Sequence, residues 1–134
     1  MNDQGQKLAI QELLASYANA LNAAKADLIP SFYTADGLFM PEGIKTLTTG
    51  DQAKTNSGGY LRKSSFNIDY QIKDVFIGDQ FAFAQVAAKV KTTDPASGKA
   101  SLKTSRDFFV LRRKDNGDWK IYRYIFNNVK EQQP

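Results

Sequence analysis

The sequence contains no cysteine and no histidine. Without thiolate or imidazole, the usual ligands of structural zinc, haem and iron–sulfur clusters are missing. Ser-His-Asp and Cys-His catalysis are excluded for the same reason. Any acid–base chemistry therefore falls to Asp, Glu, Tyr or Lys, and the chain reads as one that uses no metal and no cofactor. The sequence also lacks any run of about 18 apolar residues, so no transmembrane helix is expected. The opening MNDQGQKLAI has no charged-then-apolar pattern of a secretion signal. With no disulfide to form, the expectation is a cytoplasmic protein that keeps clear of membranes.

A concentrated basic patch is missing as well. The net charge is +4, but the cations are scattered over Arg62-Lys63, Lys99, Lys103, Arg112-Arg113-Lys114, Lys120 and Lys130. No basic stripe is interleaved with exposed aromatics, which excludes nucleic acid as a partner on this reading. What is present is an ordinary globular composition, 42% hydrophobic and 24% charged over 134 residues. That supports one domain, 1–134, with a sizeable core.

The strongest local signal runs from Lys103 to Asn128. DFFVLRR and WKIYRYIF are strand-like runs on either side of Lys114-Asp115-Asn116-Gly117-Asp118, and Asn-Gly is a hairpin turn pair in which both residues tolerate positive φ. Strict alternation puts Trp119, Ile121, Arg123 and Ile125 on one face of the second strand, and Lys120, Tyr122, Tyr124 and Phe126 on the other. Both faces of the hairpin have apolar middles, so both are expected to be covered: helices on one side, another subunit on the other.

Residues 3–24 read as an amphipathic helix, with Ile10, Leu13, Leu14, Tyr17 and Leu21 in one stripe. A short helix is expected over 28–33, capped by Asp27 and ended by Ala35-Asp36-Gly37, followed by a short strand 38–40. Residues 44–64 are the least patterned. A helix from Asp51 to about Leu61 is expected there, with Ser57-Gly58-Gly59 weakening its middle and a flap as the alternative. Strands follow at 65–77, 81–91, 100–113 and 119–128, and 130–134 is a polar tail.

This order, together with LLASYANAL, FYTADGLFMPEG and DNGDWKIYRYIFN, resembles the nuclear-transport-factor-2-like superfamily, which includes ketosteroid isomerases and SnoaL-like polyketide cyclases. The resemblance implies an α+β, cystatin-like cone: N-terminal helices packed in a strongly curved antiparallel sheet around a deep apolar pocket. It also implies a homodimer through the outer sheet face. It places Tyr17 where the isomerases have an oxyanion-donor tyrosine, and Tyr33 and Asp36 where they have a tyrosine and an acidic residue. Asp107 is the nearest match to their buried aspartic acid. Their general base falls on Met40 or Pro41, neither of which can take a proton, with Glu42 in the turn beyond.

The residues themselves leave alternatives open. Tyr17 is the one polar tip in its stripe, so it is either a core tyrosine bonded to a backbone carbonyl or a pocket donor. Asp107 either pairs with Arg106 or Arg123, or is a pocket group whose pKa burial beside Phe109 would raise. Tyr33, Met40, Phe109, Tyr122, Tyr124 and Phe126 are the expected pocket lining. Arg123 is expected to stack on Trp119 or to pair across a subunit interface. Three functions fit: a cofactor-free isomerase, cyclase or dehydratase acting on a small apolar carbonyl compound; a ligand-binding module without chemistry; or an assembly domain whose core is filled.

Overall fold

The structure is a computed structural model that describes residues 3–55 and 57–130. Beyond Lys130, the expected polar tail lies outside the described residues. Helix α1 spans Asp3–Asn22 and buries Ile10, Leu14 and Tyr17 of the stripe read from the sequence, together with Ala18 and Ala20, while Leu13 and Leu21 are half-buried. A 3-10 helix follows at Ala26–Phe32. Asp27 lies within its first turn rather than capping it; Lys25 occupies the cap position without a side-chain bond. Pro30 lies inside this helix, at its fifth residue, rather than in a first turn, and its ring removes one backbone donor there.

Strand β1 runs Tyr33–Met40, longer than the expected 38–40. Ala35-Asp36-Gly37 therefore does not end a helix. It sits in a strand whose register shifts between Tyr33 and Leu38. Gly37 is required there: a Cβ would lie 2.9 Å from Thr49 Oγ1 and 3.1 Å from the Thr34 carbonyl oxygen. The absent side chain lets the next helix dock directly on β1.

The unpatterned stretch resolves into a two-residue strand β2 at Leu47–Thr48, helix α2 at Thr49–Lys54 and helix α3 at Ser57–Lys63. Thr48 and Asp51 form a capping box, each side chain bonding the other's backbone N–H, at 2.9 and 3.0 Å. The Thr-x-x-Asp spacing was the signal for this start. Gly58 and Gly59 lie within α3 despite their cost to helix stability, and a side chain on Gly58 would make ordinary contacts. A Cβ on it would be 3.4 Å from the Ala24 carbonyl oxygen and from the Ala26 side chain.

Strands β3 (Asn67–Ile77), β4 (Phe81–Thr93), β5 (Ala100–Arg113) and β6 (Trp119–Val129) complete one six-stranded sheet of order β2-β1-β6-β5-β4-β3. The sheet is mixed rather than wholly antiparallel, because β1 joins β6 in parallel. α1 packs mainly across β3 and reaches β6. Its last residue, Asn22, clasps β3: Nδ2 donates to the Ile68 carbonyl oxygen at 3.0 Å, and Oδ1 accepts from the Ile68 N–H at 2.7 Å. At the other end, Trp119 Nε1 donates to Gln6 Oε1 at 2.7 Å.

The β5–β6 turn uses one positive φ, not two. Gly117 has φ +92°, while the Asn116 side chain accepts from the Asp118 N–H at 3.0 Å. The Lys114 N–H donates to the Asp118 carbonyl oxygen at 2.7 Å. A longer loop needs the left-handed conformation only at its last position.

The larger departure lies in β6. Val110 pairs with Arg123 and Leu111 with Ile121, so one residue of β6 is extra at Tyr122. Such a bulge reverses the side-chain phase beyond it. Trp119, Ile121 and Tyr124 are all buried on the inner face, an arrangement strict alternation forbids. Tyr122 and Arg123 are displaced outward, where the Arg123 guanidinium lies 3.8 Å from the centre of the Tyr122 ring. The stacking on Trp119 expected of Arg123 is made by Arg113 instead, at 5.2 Å.

Candidate functional site

Three successive inward-facing residues of β5, Lys103, Ser105 and Asp107, line a cavity of about 440 Å³. The next two on that face, Phe109 and Leu111, are fully buried core. One strand thus grades from solvent to solid packing, and the cavity occupies its middle. Apolar walls come from Leu21, Ile29, Phe39, Leu61, Phe66 and Ile68, among others. Tyr60 and Ile44, 61% and 65% exposed, stand at the rim.

The polar tips gather where the cavity meets the core. Tyr17, Tyr70, Tyr124, Ser105 and Asp107 all line it. They form two hydrogen-bonded sets. In one, the hydroxyls of Tyr17 and Tyr33 lie 2.8 Å apart. In the other, Asp107 accepts from Ser105 Oγ at 2.5 Å and from the Tyr124 hydroxyl, and Tyr124 in turn meets the Tyr70 hydroxyl at 2.9 Å. The rings interlock around these tips. Tyr17 stacks parallel to Tyr70 with centroids 6.4 Å apart, and Phe109 stacks on Tyr124 at 4.0 Å.

Burial governs the acid–base character. Asp107 is 2% exposed, and loss of water raises its pKa, opposed by the bonds from Ser105 and Tyr124, which favour the carboxylate. Desolvation pushes the phenols of Tyr17, Tyr33, Tyr70 and Tyr124 up, so all four stay protonated donors at neutral pH. Tyr17 and Tyr70 also feel the charge of Asp107, which opposes their ionisation further. At the mouth, Glu42 is held by Asn128: its Oε1 accepts from the backbone N–H at 2.9 Å and its Oε2 from Nδ2 at 2.8 Å. Among the described residues, no group of three or more acidic side chains is placed to hold a metal ion.

Of the residues expected at the site, Tyr17, Asp107, Tyr124 and Phe126 line the cavity. Four do not. Tyr33 lies behind Tyr17 as its bonding partner. Phe109 lies behind Tyr124, supporting its ring. Met40 is replaced by its neighbour Phe39, since adjacent strand residues face opposite ways. Tyr122 is turned to the outer face by the bulge, against Phe81 and Arg112. Asp107 makes no ion pair with Arg106 or Arg123; hydroxyls satisfy it instead. Asp36 stands apart, with its oxygens 2.9 Å from Thr34 Oγ1 and 3.8 Å from Arg112.

The sequence reading missed Tyr70, Ser105 and Gln52. Tyr70 shares the inward face of β3 with Ile68 and Ile72, and Ser105 precedes Asp107 by one strand period. Both were legible as pocket neighbours once Asp107 was placed. Gln52 gave no periodic signal, because its helix is only six residues long.

No family model matches the sequence, and no curated protein matches it. Solved structures do match in shape. A ketosteroid isomerase-like protein from Erwinia carotovora atroseptica superposes with a TM-score of 0.77 at 23% identity, over 92% of this chain and 96% of that one. A protein of the nuclear-transport-factor-2-like superfamily from Salmonella enterica serovar Typhimurium gives 0.83 at 14%, over 98% and 96%. An NTF2-like protein with a cystatin-like fold from Novosphingobium aromaticivorans gives 0.80 at 19%, over 94% and 83%. At these identities the likeness is one of fold. Among the described residues, no helix is long and apolar enough to cross a membrane.

Proposed function

The chain has the nuclear-transport-factor-2-like fold, and from that premise we propose that its cavity takes a small, mostly apolar carbonyl compound and moves a proton on it, as an isomerase, cyclase or dehydratase does. The observation that carries this reading is the placing of a buried carboxylate and several phenols on one apolar cavity. The volume suits a small organic molecule, and the polar groups are few and grouped, as orientation-setting groups in ligand pockets are.

The chemistry follows from the hydrogen-bond directions. If Tyr33 donates to Tyr17, the Tyr17 proton is left for a ligand oxygen. A carbonyl oxygen held there gains electron density as an adjacent C–H bond breaks, and a donor already in position stabilises that charge. The proton goes to Asp107. Both bonds it receives, from Ser105 and Tyr124, leave it an acceptor, and burial makes it a stronger base than a carboxylate in water. Returning the proton to another carbon gives isomerisation; expelling a β-hydroxyl gives dehydration. This assigns Asp107 the base role, in contrast to the oxyanion-donor role that the resemblance implies for it. No proton acceptor stands at Met40 or Pro41.

A second reading, binding without turnover, draws on Glu42. The acidic group nearest the mouth is tied to Asn128 by both oxygens. A thermal-shift panel of apolar ketones and acids, each also tested for turnover, separates the two. Stabilisation with turnover that Tyr17→Phe removes, at little loss of stability, supports the enzyme. Stabilisation without turnover supports the binder. Equal loss of activity and stability would return Tyr17 to a core role.

The proposal extends to assembly. The outer sheet face carries Phe76, Phe81, Phe108 and Ile125, which are 58%, 42%, 40% and 48% exposed. Phe76, Phe83 and Phe108 form a stacked row across β3, β4 and β5, with centroids 5.3 and 5.4 Å apart. A face of this kind fits a second copy of the chain. A single cytoplasmic domain over 1–134 belongs to the same reading.

A further inference from the structure

Gln52 lines the cavity, is 8% exposed, and holds a side-chain nitrogen, Nε2, that is buried without any hydrogen-bond partner. It is the one such side-chain atom among the described residues. A buried donor left unpaired is costly, so folded proteins seldom retain one without a use. Its position is also firmly set. α2 begins with the Thr48–Asp51 capping box. Thr49 Oγ1 donates to the Thr34 carbonyl oxygen at 2.7 Å, across the gap that Gly37 keeps open. The Gln52 backbone carbonyl oxygen accepts from Thr55 Oγ1 at 3.0 Å. The backbone that carries this side chain is thus fixed, and Nε2 lacks a hydrogen-bond partner.

Its neighbourhood shows what it could serve. The Gln52 amide lies close enough to the Tyr33 hydroxyl to favour its ionisation as a hydrogen-bond donor does, yet Nε2 makes no bond there of full hydrogen-bonding geometry. The Tyr33 hydroxyl meets that of Tyr17 at 2.8 Å, a bond that leaves its oxygen a further lone pair. Gln52 and Tyr17 therefore flank the same phenol, and both face the cavity. We infer that Gln52 is the second donor to the ligand oxygen, completing with Tyr17 a two-donor cradle for the negative charge that builds on a carbonyl. This rests on the pocket reading above and adds to it a ligand-contacting residue. It also narrows the ligand: the oxygen must carry or develop negative charge and accept two hydrogen bonds, as an enolate or phenolate does and an ether does not.

The test uses 2-naphthol, an apolar bicycle with one ionisable oxygen, whose ionised form absorbs at longer wavelength. Its binding to the full chain is measured by titration, alongside Tm without ligand. Gln52→Leu is expected to weaken binding about ten-fold or more, the size of one lost hydrogen bond to a charged oxygen. Its Tm should equal or exceed that of the native chain, because an unpaired buried donor has gone. Gln52→Met serves as the second variant should Leu fold poorly. Native binding by both variants, or a fall of several degrees in Tm together with the lost binding, overturns the inference. The second result would make Gln52 a support for Tyr33. Weaker binding in Tyr17→Phe with no change in Gln52→Leu would sink the inference alone. No binding by the native chain, or native binding in Tyr17→Phe and Gln52→Leu alike, would remove the pocket reading and the inference with it.

Discussion

The Tyr124 hydroxyl donates to the Asp107 carboxylate across the β5–β6 pair, although the two residues do not face each other in the ladder: Asp107 pairs with Phe126, and Tyr124 with Phe109. The diagonal reach is open to a long aromatic side chain. It exists only because the bulge at Tyr122 turns Tyr124 inward.

That bond favours the charged form of Asp107. Tyr124→Phe keeps the ring on Phe109 but removes the donor, so the carboxyl should titrate at higher pH than in the native chain. Carboxyl-carbon NMR across a pH series reads the midpoint directly. A midpoint unchanged or moved downward would show that the bond does not govern the basicity of Asp107.

Asp107 should also leave a mark on stability. Its folded pKa lies above the unfolded value because burial penalises the charge. The folded state therefore holds the extra proton between the two values, and stability falls as pH rises through that interval, starting near the ordinary Asp value of about 3.9. Once the pH is above the folded value the native chain carries the whole penalty, and Asp107→Asn is relieved of it. The Tm of the variant should exceed the native Tm at pH 7, with the gap closing on acidification towards about pH 4. Asp36, Asp51 and Asp94, whose pKa values hydrogen bonds hold down, act oppositely but equally in both proteins. A gap that ignores pH would contradict the assignment.

The outer aromatic row makes a separate prediction. Phe108→Asp places a charge in the middle of the patch, where the native side chain is 40% exposed. Sedimentation should find the native chain dimeric and the variant monomeric. The variant Tm should move by only a few degrees beyond what loss of the dimer itself costs. A monomeric native chain would leave the patch without its proposed partner.

Periodicity carried much of the fold. The α1 stripe, the long strands and the β5–β6 hairpin all follow from residue spacing, because each repeats one local rule over many residues. What it did not carry was set by single departures from those rules. The extra residue at Tyr122 exchanged the faces of β6, which put Tyr122 outside and brought Trp119 and Tyr124 to the same side. One position separated Met40 from Phe39. Gly37 marked a close approach between chain segments far apart in sequence, where a helix stop was expected. At the site, Tyr17 and Asp107 stood out as polar groups in apolar surroundings. Gln52 did not, since its meaning lies in a missing bond partner that only coordinates reveal.

The central proposition, that Asp107 takes a proton from a carbonyl compound held by Tyr17, is open to one direct measurement. β-Tetralone, an apolar bicyclic ketone, exchanges its α-hydrogens slowly in D2O, and proton NMR follows the loss of signal. The native chain should speed this exchange in proportion to its concentration. Asp107→Asn should cut the enzymatic rate by about 10²-fold or more, as loss of a general base does, while Tyr17→Phe lowers it by a smaller factor. No acceleration by the native chain, or equal acceleration by Asp107→Asn, would contradict the account.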